Sequence, residues 1–485
     1  MKGALGEFFL QNRSIKQTIL KNSIWLTSAN IIARCFKFFL VPFAARILAP
    51  EQFGLFNYTL SLLVLYFLFS DLGINGLFVR EYNQDSYSKK TLISSASVLK
   101  VFLFIASVGA GMIAFLFLKD PVVKQLFFVF LIKVLLDNIN KFLSAILQAD
   151  NHMQYESIKI LVETIFTTCL GIVVLLKTRS LFYFSIVYML GSVLGFLILS
   201  WSTRSYFRGL RYVHVSEIRS LLLKALPFLG TTIISMLLIT TDTLMIKWFK
   251  GPEAVGYYHV SLKIIALIGV VTGILSTSIY PILSSLKKKV SSMRIVFQKG
   301  LSGQLMLGVP IFMGGLVLSE KIIVDIFGAQ YAPALVVLRI FLFSALLDCM
   351  ISLLNACLVA LGLEKQNLVI SGCSACVNIV LNLVLIPVIG IVGAATATVL
   401  ARCVDVFFTY KLCRRQFEVG VLAIKSVVYY ILAACIMSAG LYVLILRDFF
   451  VLWYVFLGAG VYFGLLVFLR ETYIWEFLGY VRGRR

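Results

Sequence analysis

Charge, histidine and long polar stretches are all scarce in this chain of 485 residues. Only 14% of its residues are Asp, Glu, Lys or Arg, against about 25% in a soluble domain. The longest segments between apolar runs, at 204–224, 80–97 and 283–300, are each about 20 residues and too short to fold alone. No GxxxxGKS/T phosphate loop and no HExxH pair occurs, and no soluble segment could hold a nucleotide-binding domain, which argues against an ATP-driven pump. The three histidines, His152, His214 and His259, lie far apart without companions at ligand spacing, so no metal site is expected. Nine cysteines all fall in apolar runs, where Cys acts as a small apolar residue, and the Cys373-Ser-Ala-Cys376 spacing has no second half.

What is abundant is apolar sequence: 60% of residues are hydrophobic and the mean hydropathy is +0.97. Runs of about 20 residues are continuous rather than alternating, which predicts membrane-spanning helices and excludes a membrane β-barrel. Fourteen spans are expected, at 23–45, 54–79, 98–118, 125–148, 160–176, 181–203, 225–247, 256–282, 301–318, 333–361, 367–387, 391–413, 424–446 and 449–469. The first is too long for the apolar core of a signal peptide and reads as a span.

Lys and Arg number 44 against 22 Asp and Glu, a net charge of +22. In a soluble protein that excess would point to nucleic acid. Here, with the N-terminus inside, basic residues outside the spans favour the cytoplasmic segments by about three to one, so both termini are placed in the cytoplasm and no nucleic-acid partner is expected.

The chain repeats itself. At an offset of 202, residues 49–60 align with 251–262 with four identities, including Pro50-Glu51 on Pro252-Glu253 and Gly54 on Gly256. At an offset of 211, residues 135–149 align with 346–360 with seven identities, among them Asp137 on Asp348. Six spans separate the copies, so the halves are parallel repeats. The expected organisation is a basic N-tail (1–22), an N-lobe of six spans (23–203), a basic linker (204–224), a C-lobe of six spans (225–413), two added spans (424–469) and a basic tail (470–485). The predicted fold is an all-α membrane bundle with two six-helix lobes around a central cavity.

Ionisable residues inside spans mark functional candidates, because each costs from about 2.5 kcal/mol at a helix centre. In the first span Asn30, Arg34 and Lys37 share a face at i, i+4 and i+7 with no acid beside them. In the fourth, Lys133, Asp137 and Lys141 follow i, i+4, i+8, a spacing that also permits pairing within the helix. Ser344, Asp348, Ser352 and Asn355 share a face of the tenth span, where hydrogen bonding between helices is the simpler account. Arg402 and Asp405, at i and i+3 in the twelfth, are expected to pair. Asp242 and Lys263 sit nearer the outer surface in the seventh and eighth spans, and His259 reads as packed. Arg34, Lys37 and Lys263 are therefore the expected cationic site, with Asn30, Asp71, Lys133, Asp137, Lys141, Asp242 and Asp348 as secondary candidates. A basic site at bilayer depth suits an anion such as a diphosphate on an acyl or polyprenyl chain.

Leu48-Ala-Pro-Glu-Gln-Phe-Gly-Leu-Phe56, Ser70-Asp71-Leu72-Gly73, Val79-Arg80-Glu81 and Gly251-Pro-Glu-Ala-Val-Gly-Tyr-Tyr258 together resemble the bacterial polysaccharide flippases. Asn378-Ile-Val-Leu-Asn382, Leu385-Ile-Pro387 and Gly390-Ile-Val-Gly393-Ala-Ala-Thr-Ala397 resemble the wider superfamily, which also holds multidrug exporters and lipid II flippases. The resemblance implies alternating access, and transfer of an undecaprenyl-diphosphate-linked oligosaccharide to the outer leaflet of a bacterial cytoplasmic membrane for O-antigen or capsule synthesis. It implies membrane lipids, a polysaccharide polymerase and chain-length proteins as partners. No cofactor is expected, and drive comes from H+, Na+ or the membrane potential. A multidrug exporter is the nearest alternative, and a membrane-integral polymerase is disfavoured by external loops of about 3–14 residues.

Overall fold

The computed structural model describes residues 15–84, 88–208, 215–287, 289–416, 424–447, 449–469 and 471. Most of the basic N-tail and C-tail, and Arg211 and His214 of the linker, lie outside these residues. Among the described residues the secondary structure is helical throughout. The helices are α1 (Ile15–Asp71), α2 (Ile74–Tyr82), α3 (Lys89–Phe117), α4 (Pro121–Ala149), α5 (Met153–Thr178), α6 (Leu181–Thr203), α7 (Val215–Lys250), α8 (Pro252–Ser285), α9 (Val290–Ile322), α10 (Ala334–Leu361), α11 (Glu364–Ile389), α12 (Ile391–Gln416), α13 (Ile424–Leu444) and α14 (Val451–Phe468).

Eleven of them are long and apolar enough to cross a membrane. The other three expected spans fall on the two arms of α1 and on the charge-bearing α4, which are not among the eleven. Large apolar residues stand exposed along many helices, Phe117, Val388 and Phe456 among them, as lipid-facing residues do and as a water-soluble surface does not. The chain is a multi-pass membrane protein.

Its contacts fall into two compact units, residues 1–244 and 245–485. In the first, α1, α4, α5 and α6 pack around Leu40, Leu63, Phe127, Phe130 and Phe184. Phe56 meets Phe130, Phe184 and Tyr188 there, with ring centroids 5.1–5.4 Å apart within the cluster. In the second, α8, α9, α10, α13 and α14 share a core around Phe297, Leu353, Tyr430, Tyr454 and Tyr462. The expected linker is shorter as a connection than the sequence indicates, because α7 begins at Val215.

Both landmarks of the repeat recur in the backbone. Helix α1 breaks at Ala49, with φ 60° and ψ 166°, and a new helical arm follows from Pro50. Gly251 stands between α7 and α8 with φ 88° and ψ 178°, and Pro252 opens α8. Proline suits a first helical turn because its missing N–H would be unpaired there. This backbone region is nearly confined to glycine and costs another residue about 1–3 kcal/mol. The first copy therefore holds a Cβ in a conformation that the second reaches freely. Ala49→Gly is expected to raise the midpoint of thermal unfolding, the relief exceeding the added chain entropy of roughly 0.4–1 kcal/mol; a fall would show that Ala49 is unstrained.

Elsewhere local chemistry sets the ends. Asp120 caps α4 by accepting from the N–H groups of Val122 and Val123 (2.9 and 3.3 Å), with Pro121 in the first turn. The turn between α11 and α12 needs its glycines: Gly390 has φ 64° and ψ −137°, and a Cβ on Gly393 would lie 2.5 Å from the Leu385 carbonyl oxygen. Gly393 is there for close packing.

Candidate functional site

The first unit holds a charged network built by α1, α3, α4, α5 and α6. On α4, the Lys133 Nζ lies 2.5 Å from Asp137 Oδ2, the pairing that their i, i+4 spacing allows. Asp137 accepts a second hydrogen bond from Ser192 of α6 at 2.7 Å. On α5, Lys159 and Glu163 make the same kind of pair, also at 2.5 Å. Lys37 of α1 is exposed, makes no ion pair within 4 Å among the described residues, and feels the charges of Glu163, Lys133, Lys159 and Asp137. Three lysines thus share two carboxylates.

Arg34, one turn earlier, is exposed and has no hydrogen-bond or ion-pair partner among the described residues. Asn30 donates to the Leu26 carbonyl of its own helix at 2.7 Å. Lys141 is exposed and acts by charge on Asp137 and Asp71.

A second, buried layer joins α1, α3 and α4. The Lys100 ammonium donates to Asp71 Oδ1 (2.5 Å) and Asn138 Oδ1 (3.2 Å), and Asn138 donates to Ser70. Lys100, Asp71 and Asn138 are all buried.

Helix α6 makes room for the network. A Cβ on Gly195 would sit 2.7 Å from Lys159 Cε and 3.2 Å from both Glu163 Oε2 and Asn140 Nδ2. Gly195→Leu is expected to displace the Lys159–Glu163 pair and lower stability by about 1–3 kcal/mol. Gly109→Leu, which meets nothing within 4 Å, is the matched control in a thermal melt; equal melting points would place Gly195 away from the pair.

At one end of this unit, next to the α4–α5 turn, Asp150 accepts from the hydroxyls of Tyr82 (3.3 Å) and Tyr206 (2.5 Å). Burial, then the Asp150 carboxylate, push the Tyr82 hydroxyl up to about 12, so it stays a donor at neutral pH.

The second unit is arranged differently. Asp348 of α10, the repeat partner of Asp137, meets Arg402 Nε of α12 at 3.1 Å. This corrects the expected Arg402–Asp405 pair: the guanidinium reaches across to α10, and Asp405 instead accepts from Thr409, one turn on, at 3.1 Å. In each half, then, the aspartate of the fourth span bonds to the sixth. Ser352 bonds to Ser276 (2.8 Å) and receives Gln304 (3.3 Å), the hydrogen bonding between helices expected there. Lys263 and the buried His259 lie on α8, and Asp242 is buried on α7.

Of the expected site residues, Lys37, Lys133, Asp137 and Lys141 come together, with Asp71 in the adjoining layer. Arg34 extends the same helix, while Lys263 and Asp348 belong to the other unit. Sequence reasoning missed Lys100, Lys159, Glu163 and Ser192. The i, i+4 spacing of Lys159 and Glu163 at the start of the fifth span was the available signal.

Residues 19–287 match the family described as "Polysaccharide biosynthesis protein". The chain belongs to that family. Residues 227–384 also match the MatE family. Among curated relatives, a "Probable low-salt glycan biosynthesis flippase" of Haloferax volcanii is 25% identical over 394 residues, 80% of this chain and 82% of its own. The "Capsular polysaccharide biosynthesis protein CapF" of Staphylococcus aureus is 22% identical over 412 residues, 82% of this chain and all of its own. A solved structure of the lipid II flippase MurJ, in an inward closed conformation, superposes with a TM-score of 0.77 at 18% identity, covering 93% of this chain and 99% of that one. That likeness establishes the fold of this family member.

Proposed function

We propose that this protein is a flippase that moves an oligosaccharide carried on a polyprenyl diphosphate, undecaprenyl in a bacterium, from the cytoplasmic to the outer leaflet by alternating access. The family and the names of its relatives support the class of activity. The observation that carries the substrate chemistry is the cation surplus on α1: Lys37 is the third lysine to two carboxylates, and Arg34 has no partner among the described residues. A diphosphate supplies the acceptors that these donors lack. Lys263, on α8 of the second unit, is a further cationic candidate.

The proposal includes the orientation read from the positive-inside rule, with both termini in the cytoplasm, and the two six-helix lobes with their basic linker and the added spans at 424–469. A polymerase and chain-length proteins are the partners such a step requires, since the flipped repeat unit is consumed outside.

Deleting the gene in its host tests this. With a sugar-modifying probe that cannot cross the membrane, complete lipid-linked repeat units are expected to accumulate protected inside. Units that reach the outer face without polymerising would make the protein a polymerase; unchanged units with altered drug tolerance would make it a multidrug exporter.

A further inference from the structure

Of the two carboxylates in the first unit's network, Asp137 is held twice, by the Lys133 ammonium and the Ser192 hydroxyl. Glu163 is held once. Lys159, one turn before it on α5, is its one ion-pair partner within 4 Å among the described residues, and its side chain is 20% exposed. Helix α6 backs it with two glycines: a Cβ on Gly191 would lie 3.4 Å from Glu163 Cγ, and one on Gly195 3.2 Å from Glu163 Oε2. Helix α1 packs on α5 as well, and Glu163 is the largest of the charges acting on Lys37.

Glu163 is the eleventh residue of a helix of 26, about 15 Å from its start at 1.5 Å per residue. A carboxylate at that depth is costly, and beside Lys37 it weakens the attraction of the cationic face for any anion. What it adds is a threshold.

The anions within reach of such a face differ in charge. A two-chain phospholipid holds its phosphate as a diester with one negative charge, and it is in large excess in any bilayer. A diphosphate that joins a polyprenol to a sugar has two phosphates, each charged. At Lys37 a single phosphate gains one ammonium but meets the Glu163 carboxylate, so the exchange is nearly even. The second phosphate of a diphosphate reaches Arg34, three residues away on the same helix face and without a partner among the described residues. Attraction to two cations outweighs repulsion from one carboxylate; attraction to one does not.

We propose that Glu163 is a specificity residue, a resident carboxylate beside Lys37 that keeps singly charged phospholipid head groups off the cationic face of α1 and admits a diphosphate. The inference rests on the flippase reading above, which supplies the diphosphate. Lys159 positions the carboxylate, and Gly191 and Gly195 give it room. Discrimination then comes from a repulsion added against the wrong ligand, without a closer fit to the right one.

The test is binding of a fluorescent short-chain polyprenyl-diphosphate disaccharide to the purified protein in neutral maltoside micelles, with phosphatidylglycerol as competitor. Wild type is expected to prefer the diphosphate. In Glu163→Gln that preference should fall by about tenfold or more, the scale of a removed like-charge contact, with phosphatidylglycerol gaining affinity. Glutamine keeps the size of the side chain and still accepts from Lys159, so the variant is expected to fold. Glu163→Gln with Lys159→Met leaves no member of the pair charged and restores the net charge near Lys37, so its preference should return towards that of wild type. A carboxylate that only steadies Lys159 would leave the preference unchanged in both. An unchanged preference in Glu163→Gln, or a double variant that discriminates no better than the single one, overturns the filter. Wild type that binds phosphatidylglycerol as tightly as the diphosphate overturns it too and leaves the flippase reading standing. Wild type that does not bind the diphosphate overturns that reading and this inference with it.

Discussion

The double variant Arg34→Gln, Lys37→Gln is expected to fold normally and to lose transport by at least about a hundredfold. Among the described residues Arg34, which is exposed, has no partner and Lys37 makes no ion pair within 4 Å. Their removal therefore breaks no contact that holds the bundle. Each hydrogen bond to a charged group contributes about 1.5–3 kcal/mol, so two lost contacts to a diphosphate amount to roughly 3–6 kcal/mol. The check is the sidedness of lipid-linked oligosaccharide in cells, beside a thermal melt of the purified protein. Lys177→Gln, at an exposed helix end, removes one positive charge away from that face and should change neither. Normal export in the double variant would remove the anion-binding role from α1.

Asp71→Ala is expected to do the reverse, acting on the fold first. It strands the Lys100 ammonium in a buried place where Asp71 is its one carboxylate within 4 Å among the described residues. Removing one partner of a buried ion pair costs about 3–5 kcal/mol, while replacing both by apolar groups is often neutral. Asp71→Leu with Lys100→Met should therefore recover most of the loss in a thermal melt. Recovery will be incomplete, because Asn138 Oδ1 also accepts from Lys100. If the double variant melts as low as Asp71→Ala, the pair matters for more than its charge balance.

The class of fold was legible because a spanning helix writes itself as about 20 apolar residues, and the repeat was legible at Pro50 and Pro252, where a helix must restart. The helix ends were less so: α7 reaches back to Val215 and α9 to Val290, since amphipathic turns continue beyond the apolar run. Within the site, pairs at i, i+4 on one helix could be read, as Lys133 with Asp137. Pairs between helices could not. Lys100 meets Asp71 across 29 positions of sequence, and Arg402 takes Asp348 of another helix over the nearer Asp405, a choice made by helix packing and not by spacing.

The lengths of the helices bear on the lipid itself. Helices α13 and α14 have 21 and 18 residues, about 31 and 27 Å, close to the roughly 30 Å of a bilayer's hydrocarbon. Helices α7, α8 and α9 have 36, 34 and 33, about 50–54 Å, and must tilt or project. A thicker bilayer is taken up by the long helices as they straighten, whereas the short terminal pair has no such reserve. Acyl-chain length thus becomes a variable of any reconstituted assay, felt first at the C-terminal hairpin.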